Sequence, residues 1–187
     1  MKASDIASAQ TPPLLRGERV QLRPYRDDDA DALYAIYSDP QVMRYWSYPP
    51  WTERAQADDY LQRDRESVGA AMIAWAIARP DDDRLIGTAT LLGIDRAQGR
   101  AEIGYALAAA QWRHGYAQEA LRLALMHAFD SLQLRRIEAD TDPRNAASFR
   151  LLERIGFIRE GLLRERWLVA GELQDTALYG LLRGDLW

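Results

Sequence analysis

Apolar residues change their spacing several times along this chain, and each change predicts a different element. Alternation over 20–23 predicts a first strand. Three acids at 27–29 then favour a helix start, and Leu33, Ile36 and Tyr37 recur at helical spacing. The N-terminal part is therefore predicted to form a strand followed by a helix.

The rest of the pattern alternates between the two spacings. Helices are predicted over 53–67, 116–132 and 145–155, and strands over 71–78, 85–92, 101–107, 137–141, 157–167 and 173–182. Composition predicts turns at 80–83, 98–99 and 171, each of which joins two strands. The strands 101–107 and 137–141 are instead connected through the helix at 116–132. Hairpins combined with such crossovers indicate an α+β domain, with a mixed, mostly antiparallel sheet of about seven strands and four main helices.

The overall composition excludes several classes of site. The chain has 187 residues, a formal net charge of -4, no cysteine and two histidines. Without cysteine there are no disulfides or thiolate metal ligands, and two histidines do not favour a metal site. The acidic run at 81–83 lacks the spacing of a metal-binding loop and predicts a solvated turn. A negative net charge does not support nucleic-acid binding through overall basicity.

The chain is predicted to be a soluble cytoplasmic protein with one folded domain. Residues 1–13 contain one lysine and no apolar core of a signal peptide, which predicts a disordered leader. No run approaches the ~20 apolar residues of a membrane-spanning helix. The remaining length, 14–187, fits a single domain.

A glycine-containing segment at 112–119 joins the strand at 101–107 to the helix at 116–132. Backbone N–H groups at the start of a helix lack helical partners, and the helix dipole adds partial positive charge there. Such a place favours a phosphate or pyrophosphate. The N–H groups over 113–118 are therefore predicted to bind one.

Three segments of the chain resemble the GNAT superfamily of acetyl-CoA-dependent N-acetyltransferases. They are AEIGYAL at 101–107 running into WRHGYA at 112–117, NAAS at 145–148 followed by LLERIGF at 151–157, and RVQLRP at 19–24 with DPQVMRYW at 39–46. Their order is most similar to the branch of ribosomal-protein N-terminal acetyltransferases, and 42–46 is also similar to spermidine N-acetyltransferases. The resemblance implies an enzyme that transfers acetyl from acetyl-CoA to a primary amine, and it permits a homodimer.

The resemblance also implies which residues bind acetyl-CoA. They are Tyr105, Ala106 and Leu107 for the pantetheine arm, Arg113, His114, Gly115, Tyr116, Ala117 and Gln118 for the pyrophosphate, and Asn145 for a pantetheine amide. Asn145 is also a favoured helix N-cap. Family loops usually carry glycine at the position of Arg113, so a side chain is expected there with negative φ, where its cation supplements the anion site. Gly104, inside the strand, predicts a bulge or a close approach.

Ser148 is the expected donor to the leaving group. Attack of an amine on a thioester forms a tetrahedral oxyanion and then expels a thiolate, which a nearby hydroxyl can stabilise. Many members of the family use a tyrosine on this helix, but that position here is Leu152. Ser148 instead matches the serine of the ribosomal-protein branch. The alternative is that Ser148 packs, or bonds back to its own helix.

The general base has two candidates. A lysine-like amine, with a pKa of ~10.4, costs about 4–5 kcal/mol to deprotonate at pH 7, whereas an α-amine at ~7.7–8.0 costs only about 1 kcal/mol. The ribosomal-protein branch uses a glutamate where this chain has Trp167, so Glu165, expected on the same strand face, is one candidate. Glu102 is the other, acting directly or through water.

Aromatic residues over 43–51 lie where the family builds its acceptor cleft. Tyr45, Trp46 and Trp51 are the candidate substrate-binding residues, because aromatic walls hold cations. Three nearby acids add negative charge: Glu53, Asp58 and Asp59. The alternative is that these aromatics seal the first two helices onto the sheet.

The function has one expected form and two alternatives. The expected form is an N-acetyltransferase whose acceptor is a protein N-terminal α-amine or a small amine. The first alternative is an acetyltransferase specific for polyamines or other small amines. The second is a catalytically weak acyl-CoA-binding module, which Arg113, Leu152 and Trp167 favour because they depart from the family pattern.

Overall fold

The computed structural model describes residues 12–66 and 71–186, and eight strands in that part of the chain form one sheet. The strands are β1 (Leu15–Arg16), β2 (Gln21–Arg23), β3 (Ile73–Ala78), β4 (Leu85–Asp95), β5 (Arg100–Leu107), β6 (Arg136–Thr141), β7 (Ile158–Val169) and β8 (Glu172–Leu182). They lie in the order β1-β2-β3-β4-β5-β6-β8-β7, and every neighbouring pair is antiparallel except β5 and β6. The predicted α+β class is confirmed. β1 has only two residues, too few for an alternating pattern to reveal it.

Five α-helices accompany the sheet in the described residues. They are α1 (Ala30–Tyr37), α2 (Pro40–Met43), α3 (Ala55–Glu66), α4 (Tyr116–Met126) and α5 (Ala146–Ile155). Four of them have at least eight residues, as predicted, and α2 has four. α4 continues into a π turn over His127–Ser131. No helix in the described ranges is long and apolar enough to cross a membrane.

The predicted disordered leader at 1–13 falls almost wholly outside the described residues, which begin at Pro12. Pro13 belongs to the described part, and its carbonyl accepts a hydrogen bond of 2.9 Å from Trp75 Nε1. Because Trp75 is fully buried in β3, this bond ties the start of the described chain to the sheet.

Helices cover both faces of the sheet. The core beneath α4 and α5 includes Trp75, Ile77, Leu91, Ile103, Leu121, Leu125, Phe129 and Leu152. The core beneath α1 and α3 includes Leu33, Ile36, Tyr37, Met43, Leu61, Ala76 and Ala106. Since side chains alternate along a strand, Ile103 and Ala106 of β5 serve opposite cores.

β5 and β6 pair only at their beginnings. The parallel register joins Arg100 to Arg136, Ala101 to Ile137 and Glu102 to Glu138. Beyond Glu102, β5 continues to Leu107 paired with β4, while β6 continues to Thr141 paired with β8. The two strands therefore diverge, and the facing backbone edge of 103–107 has no strand partner in the described part of the chain. This divergence positions the functional site.

Candidate active site

A cleft of about 1010 Å³ opens where β5 and β6 diverge. The predicted site residues that line it are Tyr45, Trp46, Glu102, Tyr105, Ala106, Leu107, Arg113, Gly115, Tyr116, Ala117, Gln118, Asn145 and Ser148. Gly104 also lines it, in regular register with Thr90, so of the two alternatives predicted for Gly104 the bulge is excluded. The atom nearest to an added Cβ there is Leu92 Cδ1, at 3.8 Å, which leaves the backbone open to close approach.

The loop before α4 presents free backbone donors to the cleft. Gly115 caps the helix at φ 80°, and the first helical hydrogen bond of this turn runs from Glu119 N to Gly115 O at 3.2 Å. The N–H groups of 116–118 precede that bond and lack helical acceptors. All three residues line the cleft, where such a helix start is suited to an anion, as predicted from the sequence.

Contacts on both sides hold this loop. Trp112 Nε1 donates to Leu107 O at 2.8 Å, and Arg19 Nη1 donates to His114 O at 3.0 Å. The Glu119 carboxylate accepts from Arg19 N and Arg19 Nε, each at 2.8 Å. Burial raises the pKa of Glu119, but hydrogen bonds from Arg19, together with those from the backbone of Val20 and Glu18, lower it overall. The loop is therefore fixed before a ligand arrives.

Arg113 adopts the left-handed conformation, at φ 67°. The expectation of negative φ is wrong, and the reason is that the anchored loop imposes the geometry for which glycine is suited. An L-residue in this region costs roughly 1–2 kcal/mol. Arg113 is exposed and lines the cleft, so its cation is available at the anion site despite that cost.

We expect Arg113→Gly to raise the free energy of unfolding by up to about 1 kcal/mol, because relief of the strain exceeds the entropy cost of glycine. The same change is expected to weaken CoA binding about two- to fivefold, because a cation near the phosphates is lost. Urea unfolding and calorimetry measure the two effects. Arg113→Lys is the matched control, since it keeps both the charge and the strained backbone; destabilisation by the glycine variant would contradict the assignment of strain.

Asn145 and Ser148 lie together at the start of α5. Asn145 Oδ1 accepts from Ser148 N at 3.1 Å, so the predicted N-cap is confirmed, and Nδ2 is the atom left for a ligand. The Ser148 hydroxyl does not bond back to its helix; it lies 2.8 Å from the hydroxyl of Tyr105 on β5. Leu152, at the usual tyrosine position, is fully buried in the core. Ser148 is therefore the hydroxyl that α5 offers to the cleft.

Of the two cations expected at the cleft, Arg113 and His114, only Arg113 lines it. His114 does not line it, and its exposed ring stacks on Tyr116 with centroids 5.5 Å apart. Arg144 is bound to the carboxylate of Asp142, with Nε at 2.9 and 3.1 Å from its two oxygens. Arg150 and Arg154 of α5 line the cleft and are exposed. Sequence reasoning missed this pair, although the i, i+4 spacing on the Ser148 helix could have revealed it.

Two carboxylates lie at the other end of the cleft. Glu102 is paired in register with Glu138, and Asp140, two residues further along β6, shares the same face. Burial raises the pKa of Glu102, and the negative charges of Asp140 and Glu138 raise it further against the opposing effect of Arg166. Burial likewise raises the pKa of Asp140. Sequence analysis did not identify Asp140, because no motif includes it and its proximity to Glu102 depends on the pairing of β5 with β6.

Glu165 does not lie in the cleft. The β7–β8 register changes between Leu163 and Trp167, which makes 164–166 a bulge opposite Asp175. Glu165 has φ 53°, is exposed, and donates its N–H to Asp175 Oδ1 at 2.8 Å. The bulge breaks the alternation on which the shared face with Trp167 depended. The expectation that Glu165 faces the cleft is therefore wrong, whereas Trp167 does line it.

The aromatic residues divide between the cleft and the core. Tyr45 and Trp46 line the cleft. Trp51 instead packs against Tyr37, with ring centroids 4.7 Å apart, and against Tyr60 at 5.8 Å. The expected substrate contact of Trp51 is replaced by the alternative role of sealing the helices onto the sheet. The acids expected beside it do not line the cleft either: Glu53, Asp58 and Asp59.

Comparisons with known proteins agree with this geometry. A family model described as an acetyltransferase (GNAT) domain matches residues 19–158. The uncharacterized N-acetyltransferase p20 of Bacillus licheniformis is 38% identical over 169 residues, which cover 90% of this chain and 95% of p20. The structure of Mycobacterium smegmatis RimJ in complex with CoA-disulfide superposes with a TM-score of 0.83 at 28% identity, covering 94% of this chain and 90% of RimJ.

Relatives named for both suggested branches also match. The spermidine N(1)-acetyltransferase of Escherichia coli K12 is 22% identical over 157 residues, which cover 84% of this chain and 82% of that enzyme. A relative named for ribosomal acetylation matches as well. The matched family domain spans the loop before α4, the diverging strands and α5, which are the elements that build the cleft. This chain is an acetyltransferase of the GNAT family.

Proposed function

We propose that this protein transfers the acetyl group of acetyl-CoA to the primary amine of a small cationic acceptor by direct attack. One observation carries the proposal. The cleft between β5 and β6 has the donor loop before α4 at one end, bonded to Leu107, and the half-buried carboxylates of Glu102 and Asp140 where the two strands begin to diverge. Tyr45 and Trp46 also line this cleft. A cofactor with phosphates and an acceptor with positive charge would therefore meet between them.

The chain offers groups for each part of acetyl-CoA. The backbone N–H and C=O groups along the unpaired edge of 103–107 need hydrogen-bond partners, and the amides of the pantetheine arm can supply them. The N–H groups of 116–118, with the cation of Arg113, suit the pyrophosphate. Arg150 and Arg154 add positive charge along the same side. The relative that was crystallised with CoA-disulfide supports this cofactor.

The proposed chemistry needs a base and a stabilised leaving group. Glu102 accepts a proton from the amine, directly or through water, and the neutral amine attacks the thioester carbon. The tetrahedral intermediate collapses as the C–S bond breaks and its electron pair moves to sulfur, and the proton that the acetylated nitrogen loses passes to the thiolate. The Ser148 hydroxyl, on the wall of the cleft, donates a hydrogen bond to that sulfur.

The acceptor end favours a cation. Glu102, Asp140 and Asp175 supply carboxylates to the cleft, and Tyr45 and Trp46 supply aromatic faces to it. Carboxylates and aromatic faces both attract ammonium groups. A buried carboxylate whose pKa is raised is also a better base for a strongly basic amine than an ordinary one. A small amine with a second positive charge therefore fits this end better than a neutral peptide N-terminus.

The test is a CoA-release assay with three classes of acceptor: polyamines, small monoamines and peptides with free N-termini. We expect the polyamines to give kcat/KM values at least about tenfold above the peptides, which corresponds to about 1.4 kcal/mol, because the carboxylates of the cleft attract a second ammonium. Calorimetry with CoA alone checks the cofactor half of the site.

Each outcome of this assay selects one function. A peptide preference would replace the proposed acceptor by a protein N-terminal α-amine. CoA uptake without turnover of any amine would favour an acyl-CoA-binding module. Calorimetry without uptake of CoA would overturn the whole proposal.

A further inference from the structure

We propose that Tyr105 is a positioning residue for Ser148: its hydroxyl donates to Ser148 Oγ, and the Ser148 proton is thereby directed to the sulfur of the departing thiolate. This inference rests on the proposed acetyl transfer. It assigns to the Tyr105 side chain a role separate from that of its backbone beside the pantetheine arm.

The geometry isolates the two hydroxyls as a pair. Tyr105 lies in β5 past the last pair with β6, and Ser148 lies in the first turn of α5. Their oxygens are 2.8 Å apart, and both residues line the cleft. Ser148 N is already held by the Asn145 cap, so the serine is fixed on its backbone side and its hydroxyl is fixed by Tyr105. A single rotation about the Cβ–Oγ bond then sets where the serine proton points.

The direction of the Tyr105–Ser148 bond follows from acidity. A phenol is a stronger acid than an aliphatic alcohol and therefore the better donor in a hydroxyl pair. Burial raises the pKa of Tyr105 to about 12, while the bond to Ser148 acts in the opposite direction, so the phenol keeps its proton at neutral pH. With the tyrosine as donor, Ser148 Oγ accepts one bond and its own proton remains available to the cleft. If Ser148 instead donated to Tyr105, the serine proton would not be available to the cleft.

A donor fixed in this way stabilises charge without reorganising during the reaction. Loss of one preorganised donor to a developing anion typically lowers kcat by about 10²–10³. Tyr105 acts one bond away from that anion, so a smaller effect is expected. We expect Tyr105→Phe to lower kcat about tenfold, while the KM for acetyl-CoA and the calorimetric Kd of CoA change less than twofold. Phenylalanine preserves the ring, and a variant that still binds CoA has retained the cleft.

A double-mutant cycle separates positioning from a merely structural role. If Tyr105 acts through Ser148, adding Tyr105→Phe to Ser148→Ala should change kcat less than twofold further. Tyr25→Phe is the matched control: it also removes a tyrosine hydroxyl bond, to Tyr60 at 3.3 Å, but outside the cleft, and should leave kcat unchanged. If Tyr105 only ties α5 to β5, the thermal midpoint and CoA binding should change while kcat does not.

The outcomes distinguish this inference from the function on which it rests. An active wild type whose kcat is insensitive to Tyr105→Phe would overturn the inference and leave the acetyl transfer intact. Multiplicative losses in the double variant would overturn it as well, because Tyr105 would then act independently of Ser148. A wild type that turns over no amine would overturn the proposed function and this inference together.

Discussion

Replacing Glu102 with glutamine is expected to lower kcat/KM for the amine by about 100-fold or more, the usual contribution of a general base. Glutamine retains the shape and polarity of the side chain but cannot accept the proton of the attacking amine. CoA binding should be preserved, because the loop before α4 and the unpaired backbone edge of 103–107 lie further along the cleft. Steady-state kinetics on a reactive amine, with calorimetry on CoA, measure both quantities.

The pH profile gives this prediction a second readout. Burial, with the negative charges of Asp140 and Glu138, raises the pKa of Glu102. A base works in its deprotonated form. Wild-type activity therefore reaches its full value at pH above the raised pKa of Glu102 and is lost as the pH falls through that pKa. The ratio of wild-type to Glu102→Gln kcat/KM on one amine cancels the titration of the amine itself. That ratio should rise with pH and then level off, with its midpoint above the ordinary range of a glutamate.

Glu138 provides a matched control for Glu102. It lies directly opposite Glu102 in the register but does not line the cleft, and its Oε1 accepts from Arg136 Nε at 2.8 Å. Glu138→Gln should leave the plateau rate within about twofold and move the acidic limb to slightly lower pH, because one negative neighbour is removed. Equal losses in both variants, or a pH-independent ratio for Glu102→Gln, would exclude Glu102 as the base.

The elements of the site were predictable because they depend on local patterns. Alternation identified β5, helical spacing identified α4 and α5, and the glycine between β5 and α4 predicted the donor loop. Asn145 was recognisable as a cap from its residue type alone. The turn predicted at 171 was also correct, since Ala170 and Gly171 both have positive φ between β7 and β8.

The errors occurred where tertiary contacts override a local rule. The prediction that Glu165 faces the cleft was wrong because a bulge in β7 inserts extra residues, and no sequence pattern indicated that bulge. The predicted φ of Arg113 was wrong because hydrogen bonds to Leu107 and from Arg19, both outside the loop, fix its conformation. Asp140 could not be assigned, because its neighbour Glu102 lies on a strand separated from it by α4. The sequence therefore predicted the strands, helices and loop of the cleft better than the positions of the charged side chains inside it.

Asp29→Ala is expected to lower the free energy of unfolding by about 3–5 kcal/mol, the usual cost of breaking a buried ion pair from one side. Arg23 and Asp29 have side chains only 4% and 5% exposed. Arg23 Nη1 and Nη2 donate to the two oxygens of Asp29 at 2.7 and 2.8 Å, and Arg26 N donates to the same carboxylate at 2.8 Å. Urea unfolding followed by tryptophan fluorescence measures the change.

One acid of the turn at 81–83, Asp83, contributes to the same network, whereas Asp81 and Asp82 are exposed, as predicted for a solvated turn. Asp83 Oδ1 accepts from Arg23 Nε at 2.9 Å and from Gln21 Nε2 at 2.7 Å. Arg23 thus has two carboxylate partners, and Asp29 is the more buried one. Arg23, the second arginine of the N-terminal family motif, therefore joins β2, the start of α1 and the β3–β4 turn. It lies outside the cleft.

The size of the Asp29 effect depends on burial rather than on the presence of a charge pair, and Asp27 tests that distinction. Asp27 lies two residues away in the same acidic run and pairs with Arg65, but its side chain is 87% exposed. Exposed pairs contribute about 0–1 kcal/mol, so Asp27→Ala should leave stability almost unchanged. Asp29→Asn retains the volume but removes the charge that Arg23 requires, so it should remain strongly destabilising. If Asp29→Asn behaved like Asp27→Ala, hydrogen bonding alone would hold Arg23, and the buried charge of Asp29 would not be what stabilises this corner of the sheet.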